Sequence, residues 1–188
     1  MTGHTLQFSA TTSPSRRWLF GVLLMLVLVA GPRAYAQSET GNDGSAFATI
    51  TKQVLSDPTT YAPTAILYSS MKLDWNSSQP LFARGYLEQN RRYTVSGQSL
   101  DVPVSFREGN QRLLMDSLAV LPSSIANNAV NRVLQRSLTE RHPEKRKLWA
   151  TLAFIERMAF ASYTSYVLSS PHFDQWQRNK QMMEQLAR

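Results

Sequence analysis

LWATLAFIERMAFASYTSYVL, residues 148–168, is the stretch on which the fold turns. Fifteen of its 21 residues are alanine, leucine, isoleucine, valine, methionine or aromatic. They lie all around a helix rather than along one stripe. A helix of that kind is either the central element of a bundle or a helix in lipid. Glu156 and Arg157 stand in the middle of it, where an ionised group is expensive unless paired or solvated. The expected arrangement is that each charge faces water, or that the two pair with neighbouring helices and set their register; a buried polar binding cluster is the alternative. Upstream lies the basic run Lys145-Arg146-Lys147, with Trp149 close behind. Positive charge at a helix N-terminus opposes the dipole, so the run points to a role other than helix stability, such as a membrane edge.

The flanking segments predict more helix. Downstream, Ser170-Pro171 reads as the N-cap and first turn of a final helix carrying Phe173, Trp176, Met183 and Leu186. Upstream, Leu114, Leu118, Leu121, Ile125 and Ala129 recur at helical spacing, with Pro122 dividing or kinking the run. This pattern starts near Glu108-Gly109-Asn110, with Asn110 as N-cap, and extends to about Arg141. Asp116, Ser123, Asn127 and Asn131 would share its opposite, polar face. Another helix is expected from about Pro63, with Ile66, Leu67, Met71, Leu73 and Trp75, and Pro80 kinking or breaking it before Leu81–Leu87. A short helix is expected over Ala46–Leu55. Between these, residues 91–107 place β-formers around Ser96-Gly97-Gln98-Ser99, a hairpin-like signal that Pro103 confines to an edge. The fold class expected is mainly α: a small helical bundle of four to six helices, with a short extended or hairpin-like insertion near residues 91–107.

The N-terminus carries an address. Arg16 and Arg17 precede an apolar run from Trp18 to Ala30, and Ala34-Tyr35-Ala36 stands before Gln37. Positive start, short apolar core and small residues at −3 and −1 are the grammar of an export signal. Its 13-residue core is short of the roughly 20 residues a spanning helix needs. The expected cleavage signature is Ala34 and Ala36, ahead of Gln37; Ser15-Arg16-Arg17 also leaves the twin-arginine route open. Residues 1–36 are read as signal, 37–45 as a flexible polar leader, and 46–188 as a single helical domain. The expected location is the periplasm or cell envelope.

Composition excludes several functions. The chain has no cysteine, which removes disulfides, thiolate metal sites, thiol nucleophiles and lipoprotein modification. The signal holds three of the 20 basic residues and none of the 13 acidic ones, leaving 17 against 13 and a net charge of +4. That is too mild to imply nucleic-acid binding. His142-Pro143-Glu144 and His172-Phe173-Asp174 lack the i, i+3 or i, i+4 spacing of a helical metal pair, so no metal site is expected. There is no nucleophile elbow and no phosphate-binding glycine loop, so no catalytic residue and no cofactor are expected either.

One pattern is shared with other chains. Asp74-x-x-Ser77-Ser78 followed by Gly85-x-x-Glu88-x-Asn90 resembles a run in small, uncharacterised bacterial proteins with about three hydrophobic helices. The resemblance covers residues 74–90 and departs at Arg91, where proline is usual, and at Pro80. It implies a polar knot of Asp74, Ser77, Ser78, Glu88 and Asn90 where a helix meets its loop, and it implies membrane association. It brings no activity. The candidate polar residues are therefore Asp74, Ser77, Ser78, Glu88, Asn90, Asp116, Glu156 and Arg157.

The expected function is a non-enzymatic binding or structural domain of the cell envelope, its partner a membrane surface or another envelope protein. One alternative is an exported hydrolase using two of Asp74, Glu88, Asp116 and Glu156, since carboxylates with divergent pKa values can divide acid and base roles. Another is a periplasmic chaperone or adaptor presenting Met158, Tyr163 and Tyr166 to apolar partners.

Overall fold

Asp57 begins the architecture. In the computed structural model, which describes residues 43–188, its carboxylate Oδ1 accepts the backbone N–H of Thr59 at 3.0 Å and the Thr59 hydroxyl at 2.7 Å. This N-cap, with Pro58 at the first position, starts a helix five residues earlier than Pro63 suggests. The order of elements is α1 (Asp43–Leu55), α2 (Pro58–Phe82), a 3₁₀ turn (Arg91–Tyr93), α3 (Phe106–Leu118), α4 (Leu121–Arg141), a 3₁₀ turn (Pro143–Lys145) and α5 (Arg146–Leu186). The fold is mainly helical, with no strand among the described residues. The signal-cleavage residues Ala34, Ala36 and Gln37 lie outside the described residues. The last part of the expected leader is already helical, because α1 starts at Asp43.

Three long helices, α2, α4 and α5, dominate in place of a bundle of four to six. The physical reason is Pro171. It does not start a new helix but sits inside the 41-residue α5. A mid-helix proline costs about 3 kcal/mol. Here packing holds it in place: Ser169 just before it is buried, and His172 just after it is bonded to Asp74 of α2. Pro63 and Pro80 are likewise absorbed within α2. Pro122 behaves as read, standing at the start of α4 after a break at Ala119-Val120.

Helix α2 ends in a Schellman closure rather than running on to Leu87. Gly85 N–H donates to Phe82 O at 2.9 Å, and Tyr86 N–H donates to Leu81 O at 3.2 Å. Gly85 has φ +88°, which only glycine adopts without strain. The hairpin-like insertion is corrected as well. Residues 88–104 form an irregular loop with two isolated antiparallel bridges, Glu88 with Asp101 and Thr94 with Pro103. Pro103 has no N–H to extend a ladder, Leu100 takes φ +59° and Arg91–Tyr93 coils into a 3₁₀ turn, so pairing cannot propagate.

Helices α2 and α5 share the largest interface and run parallel. Asp57 meets Arg157, Asp74 meets His172, Ser78 meets Asn179 and Arg84 meets Met183. Each pair is about 100 residues apart, and a constant offset means side-by-side alignment along all of α2. Buried residues of α5 are small or polar: Ala153, Arg157, Ala161, Ser165, Ser169 and Asn179. Small side chains at four-residue spacing let the two backbones approach closely. The apolar core is compact, with Leu67, Met71, Trp75, Tyr93, Val104 and Leu113. Gly109 of α3 lies under the Trp75 indole; a Cβ there would come within 2.1 Å of the ring. Asn110, read as an N-cap, instead accepts from Lys72; Ser105 caps α3, accepting Glu108 N–H at 3.2 Å.

Candidate functional site

Two polar clusters bracket the α2–α5 seam. The first lies at its beginning, where α4 crosses. Asp57 Oδ2 is 2.7 Å from the Arg132 guanidinium and 3.0 Å from Arg157 Nε. Arg157 also donates to Asn131 Oδ1 at 2.6 Å, and Asn131 Nδ2 donates to Glu156 at 2.6 Å. Asn128, 1 % exposed, donates to the hydroxyls of Thr59 and Thr60 at 3.0 and 2.6 Å. Arg157 is 5 % exposed; burial and the neighbouring Arg132 charge pull its pKa down. Burial also works against the Asp57 carboxylate, yet hydrogen bonds from Thr59 and Arg132 and the Arg157 charge outweigh it and hold its pKa below the ordinary value. The cluster ties three helices with matched charges, two arginines against Asp57 and Glu156.

The second cluster lies at the far end. Asp74 Oδ2 is 3.0 Å from His172 Nδ1. Asn179, 2 % exposed, donates to Ser77 Oγ at 3.0 Å, Ser78 Oγ at 2.9 Å and Asp74 Oδ1 at 3.4 Å. The two serines donate in turn to the Asp74 carbonyl at 2.8 and 3.0 Å. Gln175 Nε2 donates to Asn179 Oδ1 at 2.8 Å, fixing the amide orientation. Asp74 and His172 are each about a fifth to a quarter exposed. In the neutral ring, Nδ1–H donating to the carboxylate leaves Nε2 as the basic nitrogen. Glu88 belongs to this end electrostatically. Burial, and after it the Asp74 charge, pushes its carboxyl pKa up, against backbone N–H bonds such as that from Asn90 at 2.7 Å.

Of the residues singled out in the sequence, Asp74, Ser77 and Ser78 meet on one helix turn, with Glu88 near them. Asn90 Oδ1 caps the 3₁₀ turn by accepting Arg92 N–H at 3.1 Å. Asp116 stands apart. It accepts from the Tyr93 hydroxyl at 2.9 Å and from Arg92 Nε at 2.6 Å, and together with burial it pushes the Tyr93 pKa up. Glu156 and Arg157 belong to the first cluster, about 25 Å from Asp74 along α2 at 1.5 Å per residue.

Sequence reasoning missed most of the α5 and α4 partners. His172 was visible only as a poor metal candidate, and Asn179, Asn128, Arg132 and Asp57 not at all. The available signal was a parallel one: polar residues of α5 at 157, 165, 169, 172 and 179 recur on one helical side. Among the described residues no group of histidine and acidic side chains could hold a metal ion.

The distribution of apolar residues departs from the reading of the sequence. Of the expected stripe, Leu114 and Leu118 are exposed and Leu121, Ile125 and Ala129 are half-buried, while Ser117, Ser124, Asn128 and Asn131 are buried. Met158, Tyr163 and Tyr166 are all exposed, Tyr166 to 72 %. No helix among the described residues is long and apolar enough to cross a membrane. No family model, curated protein or solved structure matches the chain.

Proposed function

We propose that the chain is an exported cell-envelope protein whose helical domain binds or scaffolds rather than catalyses, with the outer helix faces as its working surface. The observation that carries this reading is the inverted interior. Asn128, Asn179, Thr60, Ser70, Ser117, Ser124 and Ser169 are fully buried, whereas Phe154, Ile155, Tyr163, Leu134 and Met115 are exposed. A chain that spends its polar groups on internal keys and leaves large apolar side chains outside is built to be covered. The export grammar of residues 16–36 supports the envelope as the place. Fractionation of cells producing the full chain tests it: the protein is expected in the periplasmic or envelope fraction, shortened at Gln37. Recovery of the full-length chain in the cytoplasm would end the reading.

A second reading is favoured by one observation, the raised Glu88 carboxyl pKa, owed to burial and after it to the Asp74 charge, with His172 bonded to Asp74. Two carboxyl groups whose surroundings separate their pKa values are how hydrolases divide acid and base roles. Hydrolysis of chromogenic glycosides or esters, lost in Glu88→Gln with the helical spectrum intact, would establish it; absence of turnover across such a panel leaves the binding role.

A further inference from the structure

The outward face of α5 is unusual in both content and surroundings. Leu148, Leu152, Ile155, Tyr163 and Tyr166 recur at steps of four, three, eight and three, which places them on one side of the helix. Each is about half exposed or more. That side lies opposite Ala153, Arg157, Ala161, Ser165 and Ser169, the side buried in the fold. The stripe is about 27 Å long at 1.5 Å per residue. No charged residue stands in the stripe itself: Arg157 turns inward to Asp57, and Glu156, exposed at its flank, accepts from the Asn131 amide.

Its N-terminal end is strongly basic. Arg141, Lys145, Arg146 and Lys147 are all exposed, and none has a carboxylate partner among the described residues. Of the nearby acids, Glu140 pairs with Arg136, while Glu144 lies 3.7 Å from His142 and Glu156 accepts from the Asn131 amide.

We propose that this face of α5 seats in the interfacial layer of an anionic lipid bilayer, the helix lying along the surface with the basic quartet at the headgroup phosphates. The proposal rests on the envelope reading above and gives it a partner. Charge selects the occupant. A second copy docking through the same stripe would bring four like charges of its own and only Glu144 and Glu156 as exposed local carboxylates without a cationic Lys or Arg partner. An anionic lipid surface supplies counter-charge beside a continuous apolar phase. The stripe offers few hydrogen-bonding groups, the hydroxyls of Tyr163, Tyr166 and the adjoining exposed Ser162, which suits a fluid interface better than a specific protein. Helix α5 does not span: its opposite side is committed to α2, and no described helix is long and apolar enough to cross. The expected mode is therefore interfacial.

The chain contains no cysteine, so single-cysteine variants of the full chain can each carry a polarity-sensitive fluorophore. The positions are Ile155→Cys and Tyr166→Cys on the stripe, with Gln98→Cys in the loop as control. The probe reports its own position, so the apolar run at residues 18–30 does not enter the readout. With phosphatidylglycerol vesicles, emission is expected to shift to the blue at positions 155 and 166 and not at 98. Phosphatidylcholine vesicles are expected to give little shift. Adding Lys145→Gln, Arg146→Gln and Lys147→Gln is expected to raise the lipid concentration for half-maximal shift on the order of 100-fold. No shift at 155 and 166, or an equal shift at 98, overturns the proposal. A shift without lipid that grows with protein concentration assigns the stripe to a second copy and also overturns it. An envelope-localised protein whose stripe ignores anionic lipid would leave the envelope reading standing and this inference refuted.

Discussion

The two ends of the α2–α5 seam solve one problem with different chemistry. At each, an aspartate of α2 reaches a basic residue of α5 about 100 positions later. At the Asp57 end the partners are guanidinium groups from two helices, and Arg157 is almost wholly buried. At the Asp74 end the partner is an imidazole, and both members are partly exposed. The first end is sealed and fixes how three helices meet. The second is open to water and keeps a nitrogen free. The difference teaches that a polar key in a small-residue interface can be purely structural or accessible to chemistry, according to what covers it.

The largest expected effect comes from breaking the sealed end. Arg157→Met leaves the Asp57 carboxylate buried with one partner fewer, and a loss of about 3–5 kcal/mol is expected in urea denaturation. The double variant Arg157→Met with Asp57→Asn should recover part of it, since no unpaired charge remains. A loss below about 1 kcal/mol would show that this end is not sealed.

Between the two ends, Gly109→Ala pushes a methyl group into the Trp75 indole. Overpacking of this kind costs about 1–3 kcal/mol. A matching blue- or red-shift of tryptophan emission would locate the damage at the core that backs the open end.

At the open end, Asn179→Ala removes the donor shared by Ser77, Ser78 and Asp74. An expected loss of about 1–2 kcal/mol should appear as a lower thermal midpoint, smaller than that of Arg157→Met. Equal losses would erase the distinction between sealed and open ends.

The smallest effect is a difference in pH slope. The Asp57 pKa is lowered in the folded state, so its contribution is present above the ordinary carboxylate value and lost as pH falls through the folded one. The Glu88 pKa is raised, so the folded state holds more proton between the ordinary value of about 4.3 and the raised one. Stability should fall as pH rises through that window. Glu88→Gln should remove this decline and leave the acid limb; urea midpoints across mildly acidic to neutral pH check it. A decline that persists in Glu88→Gln would assign it to another group.

Parts of this were legible in advance. The apolar weight of residues 148–168 announced a major helix, and the charges inside it were expected to face water or to pair with neighbours; Arg157 pairs with Asp57, and Glu156 is exposed while accepting from Asn131. The Asp74-Ser77-Ser78 spacing placed three polar groups on one turn. Their partners His172 and Asn179 were not legible, because they lie about 100 residues away and only the parallel packing of α2 and α5 brings them near. The outward turn of Leu114 and Leu118, the α3 part of the expected stripe, was not legible for a related reason. Periodicity identifies a face, but not whether it turns inward.

By itself, the sequence determined that the chain is mainly helical, that no thiol chemistry is available and where proline and glycine punctuate it, because these follow from local backbone and side-chain properties. Tertiary contacts were needed to absorb Pro63, Pro80 and Pro171 within helices, to bury a small and polar side of α5, and to give Asp57 and Asp74 different partners. Those outcomes depend on contacts between distant segments, whose packing free energy exceeds the local preferences a single stretch of sequence expresses.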